Sequence, residues 1–471
     1  MSDFSSKITK SFVEKYSSGG PYYVSYPTVG QWGKSSWSEY KKALIEVYRS
    51  EEERRVKLYV HYPFCVRLCH FCHCHVMVSR NKERVNAFLD LLLKEIDMLQ
   101  EFFNVHSLAP NFKDIHLGGG SPSYLDEKGL DLLIDKLGSL VDINDLIEFS
   151  IEVDPRTVTL DKICHYHEIG INRLSFGIQD FNPAVQKAIG RVQPLEEVEE
   201  LILPEVRKRF KSINFDLMFG LPLQTRESFR ETIRMVTRIL PERIALFHFN
   251  HRSDIFDHHS LIKDEDLPEE HEKSLINIEA IHQLLDAGYE RIGLDHFALP
   301  QDDLAKAARA GTLSRNFNGY TRGGTVDLIG VGPSAISGFG NYYFQNIYAV
   351  DDYCSAINSS QTPILRGIHL SEEQKIREDI ILSFISRFHL DIGAIENKYC
   401  IEFKVYFKKE LRLLEELLED EVIEWVDNYI LVTPKGKFCV RHVCMVFDQF
   451  FQEGKQHRPT SKKDDLMVET C

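Results

Sequence analysis

The sequence predicts an α/β fold: a parallel sheet that closes fully or partly into a barrel, followed by a mostly helical, winged-helix-like C-terminal domain. Three observations predict it. Short apolar runs alternate with helical patterns six or so times, which is how parallel strands with crossover helices read. Several runs end in Gly-rich or polar text, where a barrel gathers its ligands. Two helical stretches followed by two short strands close the chain. At 471 residues, with 43% apolar and 27% charged side chains, the composition is that of a globular protein. The formal charge of −15 speaks against nucleic-acid or anionic-membrane binding, which needs clustered cations.

Taken in order, Met1–Tyr16 has no apolar core of signal-peptide length and spreads Lys7, Lys10 and Glu14 through it. No stretch reaches the roughly 18 apolar residues of a membrane helix, so a cytoplasmic protein is expected. The strands are expected at Lys57–His61, Asp114–Leu117, Glu148–Val153, Arg173–Gly177, Ser212–Phe219, Arg243–Phe249 and Arg291–Leu294. Asn86–Phe103 carries Phe88, Leu91, Leu92, Ile96, Leu99 and Phe103 at helical spacing, and Lys128–Leu140 and Ser228–Leu240 behave alike. Asp257–Ser274 is charged and reads as a solvated loop, and Ala349–Pro363 as a linker. Ser371–Phe388 and Phe403–Glu419 are expected helices. Val422–Trp425 and Tyr429–Val432 form a hairpin about Asp427-Asn428. The polar tail Gly454–Cys471 reads as disordered. The division is then 1–50, an N-terminal segment; 51–348, the barrel; 349–453, the C-terminal cap; and 454–471, the tail.

Four of the ten cysteines fall within ten residues: Cys65, Cys69, Cys72 and Cys74. In a large chain of this kind such a cluster points to metal or redox chemistry. Thiolates suit zinc or iron–sulfur. Structural zinc takes four ligands, usually as two separated pairs, and no second Cys-x-x-Cys follows. Three thiolates on one loop instead match three corners of a cubane, with the fourth iron open. A zinc knuckle completed by Cys74, His73 or His75 is the alternative.

Cys65-x3-Cys69-x-Phe71-Cys72 resembles the signature of radical S-adenosylmethionine (SAM) enzymes. More narrowly, the chain is similar to the oxygen-independent coproporphyrinogen III oxidase (coproporphyrinogen dehydrogenase) family of haem biosynthesis, from about Pro21 to about Phe450. The resemblance rests on Tyr23-Val24-Ser25-Tyr26-Pro27-Thr28, Tyr59-Val60-His61-Tyr62-Pro63-Phe64-Cys65 and Gly118-Gly119-Gly120-Ser121-Pro122. Ile151-Glu152-Val153-Asp154-Pro155, Phe176-Gly177-Ile178-Gln179-Asp180-Phe181 and Asp216-Leu217-Met218-Phe219-Gly220-Leu221-Pro222 extend it. So do Asp295-His296-Phe297, Asn316-Phe317-Asn318-Gly319-Tyr320 and Gly332-Pro333-Ser334-Ala335-Ile336-Ser337.

The resemblance implies a partial (βα)6 TIM-like barrel whose N-terminal stretch, Tyr22 to Thr28, covers the substrate. It implies a 4Fe-4S cluster on Cys65, Cys69 and Cys72, and two SAM molecules. Tyr59, Gly119, Glu152 and Ile336 would touch the first. Phe71, Gly120, Ser121, Gln179, Arg191, Asp216 and Asn250 would touch the second. Glycines would offer backbone groups to the methionine end, a carboxylate would accept ribose hydroxyls or an ammonium, and Arg191 would fork onto a carboxylate. The implied reaction is oxidative decarboxylation of the ring A and B propionates of coproporphyrinogen III to vinyls, giving protoporphyrinogen IX, with SAM cleaved to methionine and 5′-deoxyadenosine. Its partners are an electron donor such as a flavodoxin or ferredoxin, and the chain is expected to be a monomer. Arg67, Arg80, Arg252 and Arg322 are candidates for the propionates. Cys74 resembles the oxidases' fourth cysteine, a catalytic candidate that is not a cluster ligand.

Radical haem chaperones of the same superfamily are the alternative function, and a zinc-stabilised interaction protein a third. Chaperones usually lack both Cys74 and the Tyr-Pro-Thr leader, which favours an enzyme. His73, His75, Val24, Asn250, Leu299 and Asn318 depart from the family's usual text. Gly33-Lys34-Ser35 lacks the first glycine of a phosphate loop, and Pro333 interrupts the dinucleotide-like Gly330-x-Gly332-x-x-Ala335. His165 with His167, and His258 with His259, read as solvated.

Overall fold

The computed structural model describes residues 8–16, 20–50, 53–361 and 363–454, so the expected disorder beyond Gly454 lies outside the described residues. Six strands run parallel and pair in chain order: β1 (Arg55–Tyr62), β2 (Asn111–Gly119), β3 (Glu148–Val153), β4 (Arg173–Gln179), β5 (Ser212–Phe219) and β6 (Arg243–His248). Along each strand apolar residues that enter the main core, such as Val56, Leu58 and Val60 of β1 and Ile213, Phe215 and Leu217 of β5, alternate with others, many of them polar. In β5 every residue but Asp216 is buried.

Five helices before and within this repeat begin where a polar side chain can hold free amides. In α1 (Trp37–Tyr48), Ser36 and Glu39 form a capping box. Asn81 caps α2 (Lys82–His106), whose buried Phe88, Leu92, Ile96, Leu99 and Phe103 lie three or four residues apart. Asp126 caps α3 (Glu127–Leu140), Thr159 caps α4 (Leu160–Glu168) and Thr225 caps α5 (Arg226–Ile239). α6 is Glu270–Asp286.

The sheet extends beyond the repeat at both edges. The expected seventh strand is not a parallel unit. It is β7 (Glu290–Ile292), which turns back at Gly293 (φ +54°) into β8 (His296–Ala298), and β8 pairs antiparallel with β6. On the other side β9 (Asp327–Val331) runs parallel to β1. The antiparallel run β10 (Ile336–Phe339), β11 (Tyr342–Asn346) and β12 (Ile364–His369) follows. Gly33–Lys34 and β7 are the two edges of this thirteen-stranded sheet, and they do not pair, so the sheet is open.

Two other expectations are corrected. The supposed linker contains α7 (Val350–Asn358), whose Val350, Tyr353 and Ile357 enter the main core. In the supposed solvated loop, His259 is fully buried and Ile262 nearly so, and α6 starts within it. Its acids hold the outside while the histidine and isoleucine turn in.

After α8 (Glu372–Arg387) the expected second helix divides into Phe403–Tyr406 and α9 (Lys408–Glu419). The hairpin Ile423–Val426 and Tyr429–Val432 gains a third strand, His389–Asp391. With α10 (Val440–Phe447) they enclose a core that also takes Phe12, Val13, Tyr16, Tyr23 and Tyr26 of the N-terminal segment. Among the described residues no helix is long and apolar enough to cross a membrane.

The N-terminal ends of the parallel strands are closed by buried ion pairs. Glu148 meets Arg173 at 2.8 Å, Arg322 at 2.9 Å and Arg243 at 3.4 Å. Burial would push its carboxyl up, but these guanidinium groups hold it well below the usual carboxylate range. The opposite rim is left for chemistry.

Candidate active site

β1 ends at Tyr62, and Phe64–Cys65 then pairs with Met77–Val78. The Met77 amide donates to the Pro63 carbonyl at 2.7 Å and the Ser79 amide to the Cys65 carbonyl at 3.3 Å. Residues 66–76 therefore leave and return through one clip. Inside the loop the Cys72 amide donates to the Cys69 carbonyl at 3.2 Å. His70 fastens the loop to the β4–β5 connection, its amide donating to Ile189 O at 3.0 Å and its Nδ1–H to Ala188 O at 2.9 Å. His258 Nε2–H donates to the Cys72 carbonyl at 2.7 Å.

Cys69 is buried, and two guanidinium groups reach its Sγ. Arg156 Nη2 and Arg191 Nη1 each lie 3.5 Å away. Asp154 orients both, at 2.7 Å from Arg156 and 3.3 Å from Arg191. Burial pushes the Cys65 thiol up, and Cys74 and Cys69 add to it. Three thiols on one clipped loop, with two fixed cations beside them, suit an anionic thiolate-bound cluster. Among the described residues no three His, Cys, Asp or Glu side chains are gathered as ligands of one metal ion.

Cys74 is exposed, yet its thiol is pushed well up. Its hydrogen bond with Cys72 is the main cause.

Glu152, near the end of β3, receives the His116 Nε2–H at 3.1 Å and the Gly119 amide at 3.2 Å. Tyr59 stacks on His116 with centroids 5.8 Å apart, and its hydroxyl lies 3.0 Å from His61 Nδ1. Tyr59, Gly119 and Glu152 are thus one group.

The glycines do not serve as free amide donors. Gly119 donates to Glu152, Gly120 to Tyr62 O at 2.8 Å and Ser121 to Phe64 O at 3.0 Å. Their function is close approach. A Cβ on Gly120 would lie 2.6 Å from the Pro63 carbonyl oxygen, and one on Gly119 (φ +113°) 2.9 Å from the His61 ring. The Ser121 hydroxyl turns to Ser123 Oγ at 2.9 Å.

Asp216 accepts from Asn214 Nδ2 at 2.7 Å and Ser175 Oγ at 3.1 Å. Burial, and then the charge of Glu152, push its carboxyl up to about 6. Gln179 sits at φ +66°, where the β4–β5 register shifts, and both its amide and Arg191 Nη2 come within 3.0 Å of where a Gly177 Cβ would be. Arg191 Nη2–H donates to Gly177 O at 2.7 Å. Gln179 and Arg191 are a second group, against Cys69.

Phe71 packs with Val185, Met218, Leu221 and Phe249. Asn250 is exposed and its backbone meets the His73 ring. The Ile336 side chain lies apart from the rim residues, in a small core with Val29 and Trp32.

The basic candidates separate. Arg322 lies at the far, ion-paired end of the strands, away from the rim. Arg67 lines an outer recess with Lys82 and Arg156. Arg80 is exposed. Arg252 pairs with Asp254 at 2.9 Å. Leu299 is buried in the main core, which leaves it out of the site. Asn318 keeps a buried Oδ1 without a hydrogen bond, as His73 does Nε2 and His75 Nδ1.

The leader is tied down: the Tyr22 hydroxyl donates to Asp295, which is also held by His296 Nδ1–H at 2.6 Å and Arg315 at 3.3 Å, and Tyr23 donates to Asp448 at 2.9 Å. Burial would push the Asp295 carboxyl up, but Arg315 holds it well below its usual range.

Sequence reasoning missed Arg156, whose only signal is its place after Asp154-Pro155. It also missed His61 and His116, which stand in line with Tyr59 and Glu152 at strand ends. A third omission is a stack in which His73 lies 4.9 Å from both Phe256 and His259, with His251 5.6 Å beyond. His258 and His259, read as solvated, are here a support for the cysteine loop.

Comparison with known proteins agrees with this geometry. Residues 59–236 match the radical SAM superfamily model. The chain is 39% identical over 455 residues to the oxygen-independent coproporphyrinogen III oxidase of Salmonella typhimurium, covering 96% of this chain and 97% of that one. It is 38% identical over 450 residues to the Escherichia coli K12 protein of the same name, with the same coverage. The solved structure of coproporphyrinogen III oxidase (HemN) from Escherichia coli, described as a radical SAM enzyme, superposes with a TM-score of 0.86 at 39% identity. That match covers 91% of this chain and 97% of that one.

Proposed function

The chain belongs to the oxygen-independent coproporphyrinogen III oxidases, radical SAM oxidoreductases, and on that premise we propose how its rim residues carry the reaction. The substrate is coproporphyrinogen III. Two of its propionates each lose a β-hydrogen, carbon dioxide and an electron and become vinyls, giving protoporphyrinogen IX.

Cys65, Cys69 and Cys72 would hold a 4Fe-4S cluster. When bound, the cluster and SAM supply the electron and the 5′-deoxyadenosyl radical that takes the hydrogen. Arg156 and Arg191 offset the negative charge gathered at Cys69 and fix its side chain. Tyr59, Gly119 and Glu152 would receive one SAM. Glu152 is held by two donors and keeps lone pairs for an ammonium or hydroxyls. Phe71, Gln179, Arg191, Asp216 and Asn250 would receive a second, with Gly120 and Ser121 setting the backbone beside them. Ile336 would contribute through its backbone, because its side chain faces Val29 and Trp32. Cys74, hydrogen-bonded to Cys72, would offer its thiol to the substrate or the second SAM. Tyr22, latched to Asp295, closes the pocket against water, which an alkyl radical requires.

The single observation that carries this reading is the clipped three-thiol loop with Arg156 and Arg191 against Cys69, in a chain matching oxidases over nearly its whole length. The reading includes a monomer in the cytoplasm, reduced by a donor such as a flavodoxin or ferredoxin. The test is anaerobic turnover. The oxidase releases 5′-deoxyadenosine and forms protoporphyrinogen IX only when coproporphyrinogen III is present. A haem carrier does neither.

A further inference from the structure

Beside the cysteine loop, on the side where α2, α3 and α4 begin, lies a recess of about 570 Å³. Its cations are Arg67, Lys82, Arg156 and Lys162, against Asp126, Asp154 and Glu197. Asp126 caps α3 through the Gly129 amide at 2.8 Å, and Asp154 is held by Arg156 and by Arg191 behind it. The four cations outnumber the three acids.

Two features set this recess apart. First, Arg67 and Lys82 are exposed and have no hydrogen bond or ion pair among the described residues. The same holds for Lys187, next to the Ala188 carbonyl that receives His70. Unpaired cations are notable on a chain of net charge −15. Second, the floor of the recess leads directly to the cysteine trio, because Arg156 lines it and also reaches Cys69 Sγ at 3.5 Å. Of the residues named above for SAM or substrate only Arg67, a propionate candidate from the sequence, lies in it, and the structure sets it in this outer recess, whose lining includes neither Glu152 nor Asp216.

We propose that this recess is the docking face for a small acidic one-electron carrier protein that reduces the centre held by Cys65, Cys69 and Cys72. The inference rests on the radical SAM reading above. In the step, one electron leaves the reduced carrier and enters that centre. The carrier is left oxidised by one electron, and no bond forms or breaks. A chain this acidic repels an acidic partner at long range. A local cluster of free cations is what turns that repulsion into oriented capture, and it acts mainly on association.

The test uses the reconstituted holoenzyme with two probes, a bacterial flavodoxin and a bacterial ferredoxin. The double variant Arg67→Glu, Lys82→Glu is compared with the equally charged control Lys408→Glu, Lys409→Glu on α9. Binding of the carrier to the wild type is expected to weaken as salt shortens the screening length to about 8 Å. The recess variant is expected to lose about tenfold or more in affinity, and the control to bind as wild type. With dithionite as reductant, all three are expected to release 5′-deoxyadenosine equally. If charge reversal at the recess impairs folding, Arg67→Gln, Lys82→Gln replaces it, with a smaller loss in the same direction. The proposal is overturned if neither carrier binds the wild type, if the recess variant binds as wild type, or if the control weakens equally. Absence of 5′-deoxyadenosine from the wild type with dithionite would instead sink the reading of the centre, and the binding result would still decide the docking face.

Discussion

The guanidinium of Arg191 joins Cys69 to strand β4: Nη1 lies 3.5 Å from the Cys69 sulfur while Nη2 donates to the Gly177 carbonyl at 2.7 Å. The arginine is nearly buried and also bonds Asp154 and Gln193. Arg191→Ala should lower unfolding free energy by about 3 kcal/mol, as for other broken buried pairs, and lower the iron retained after anaerobic reconstitution. Arg191→Lys should recover little of either, because one ammonium cannot make the forked contacts. Denaturant melts and iron assay check both.

Asp216 is a buried carboxyl kept at a cost in stability. Its folded value of about 6 lies above the unfolded value of about 3.9. Ionising it in the fold is therefore unfavourable. The penalty is fully present above about pH 6 and vanishes as pH falls to the unfolded value. Asp216→Asn should be more stable than wild type at pH 8 by about 2 kcal/mol, with the gap closing toward pH 4, while SAM binding weakens. A constant gap across that range would contradict the assignment.

Gly120 and Gly138 should respond oppositely to alanine. At Gly120 the new Cβ meets the Pro63 backbone at 2.6 Å, so β2 must part from the clip that holds the cysteine loop. A loss of about 2 kcal/mol and of bound iron is expected. At Gly138, inside α3, the nearest atom is 3.9 Å away, and alanine should stabilise by about 0.5–1 kcal/mol. Thermal melts of the two variants check the contrast.

Glu148 should matter for stability and not for chemistry. Glu148→Gln leaves Arg173, Arg243 and Arg322 with an uncharged partner, at a cost of roughly 3–5 kcal/mol. The Glu148 contribution is present above its unfolded value of about 4.3 and is lost as pH falls through its lower folded value. The difference from wild type should therefore shrink only in strong acid. Activity per folded molecule should be unchanged, since this network lies at the end of the strands opposite the cysteine loop.

The parallel strands were legible because every second residue must enter the core beneath the helices: Ser212–Phe219, with Ile213, Phe215, Leu217 and Phe219 in the core, stands as expected from end to end. The metal loop was legible because thiols at that spacing have few other uses. α7 was hidden because only Val350, Tyr353 and Ile357 of its residues turn inward, amid acids that read as solvent-facing. His259 was hidden because a His-His pair in charged text carries no sign of the stack it enters. The glycine triplet was visible as a feature, but its reason lay in Pro63 and His61, strands away in sequence, which only the fold brings against it. Arg156 became visible as a neighbour of Cys69 only once β3 and the cysteine loop were adjacent.

The central claim is that Cys65, Cys69 and Cys72 carry an iron–sulfur cluster and that Cys74 does not. Iron and acid-labile sulfide, measured after anaerobic reconstitution of wild type, Cys69→Ser and Cys74→Ser, test it most directly. The account predicts a brown, iron- and sulfide-loaded wild type, a Cys69→Ser variant stripped of both, and a Cys74→Ser variant loaded like wild type but unable to form protoporphyrinogen IX. A colourless wild type, or iron lost equally from the Cys74→Ser variant, would contradict it.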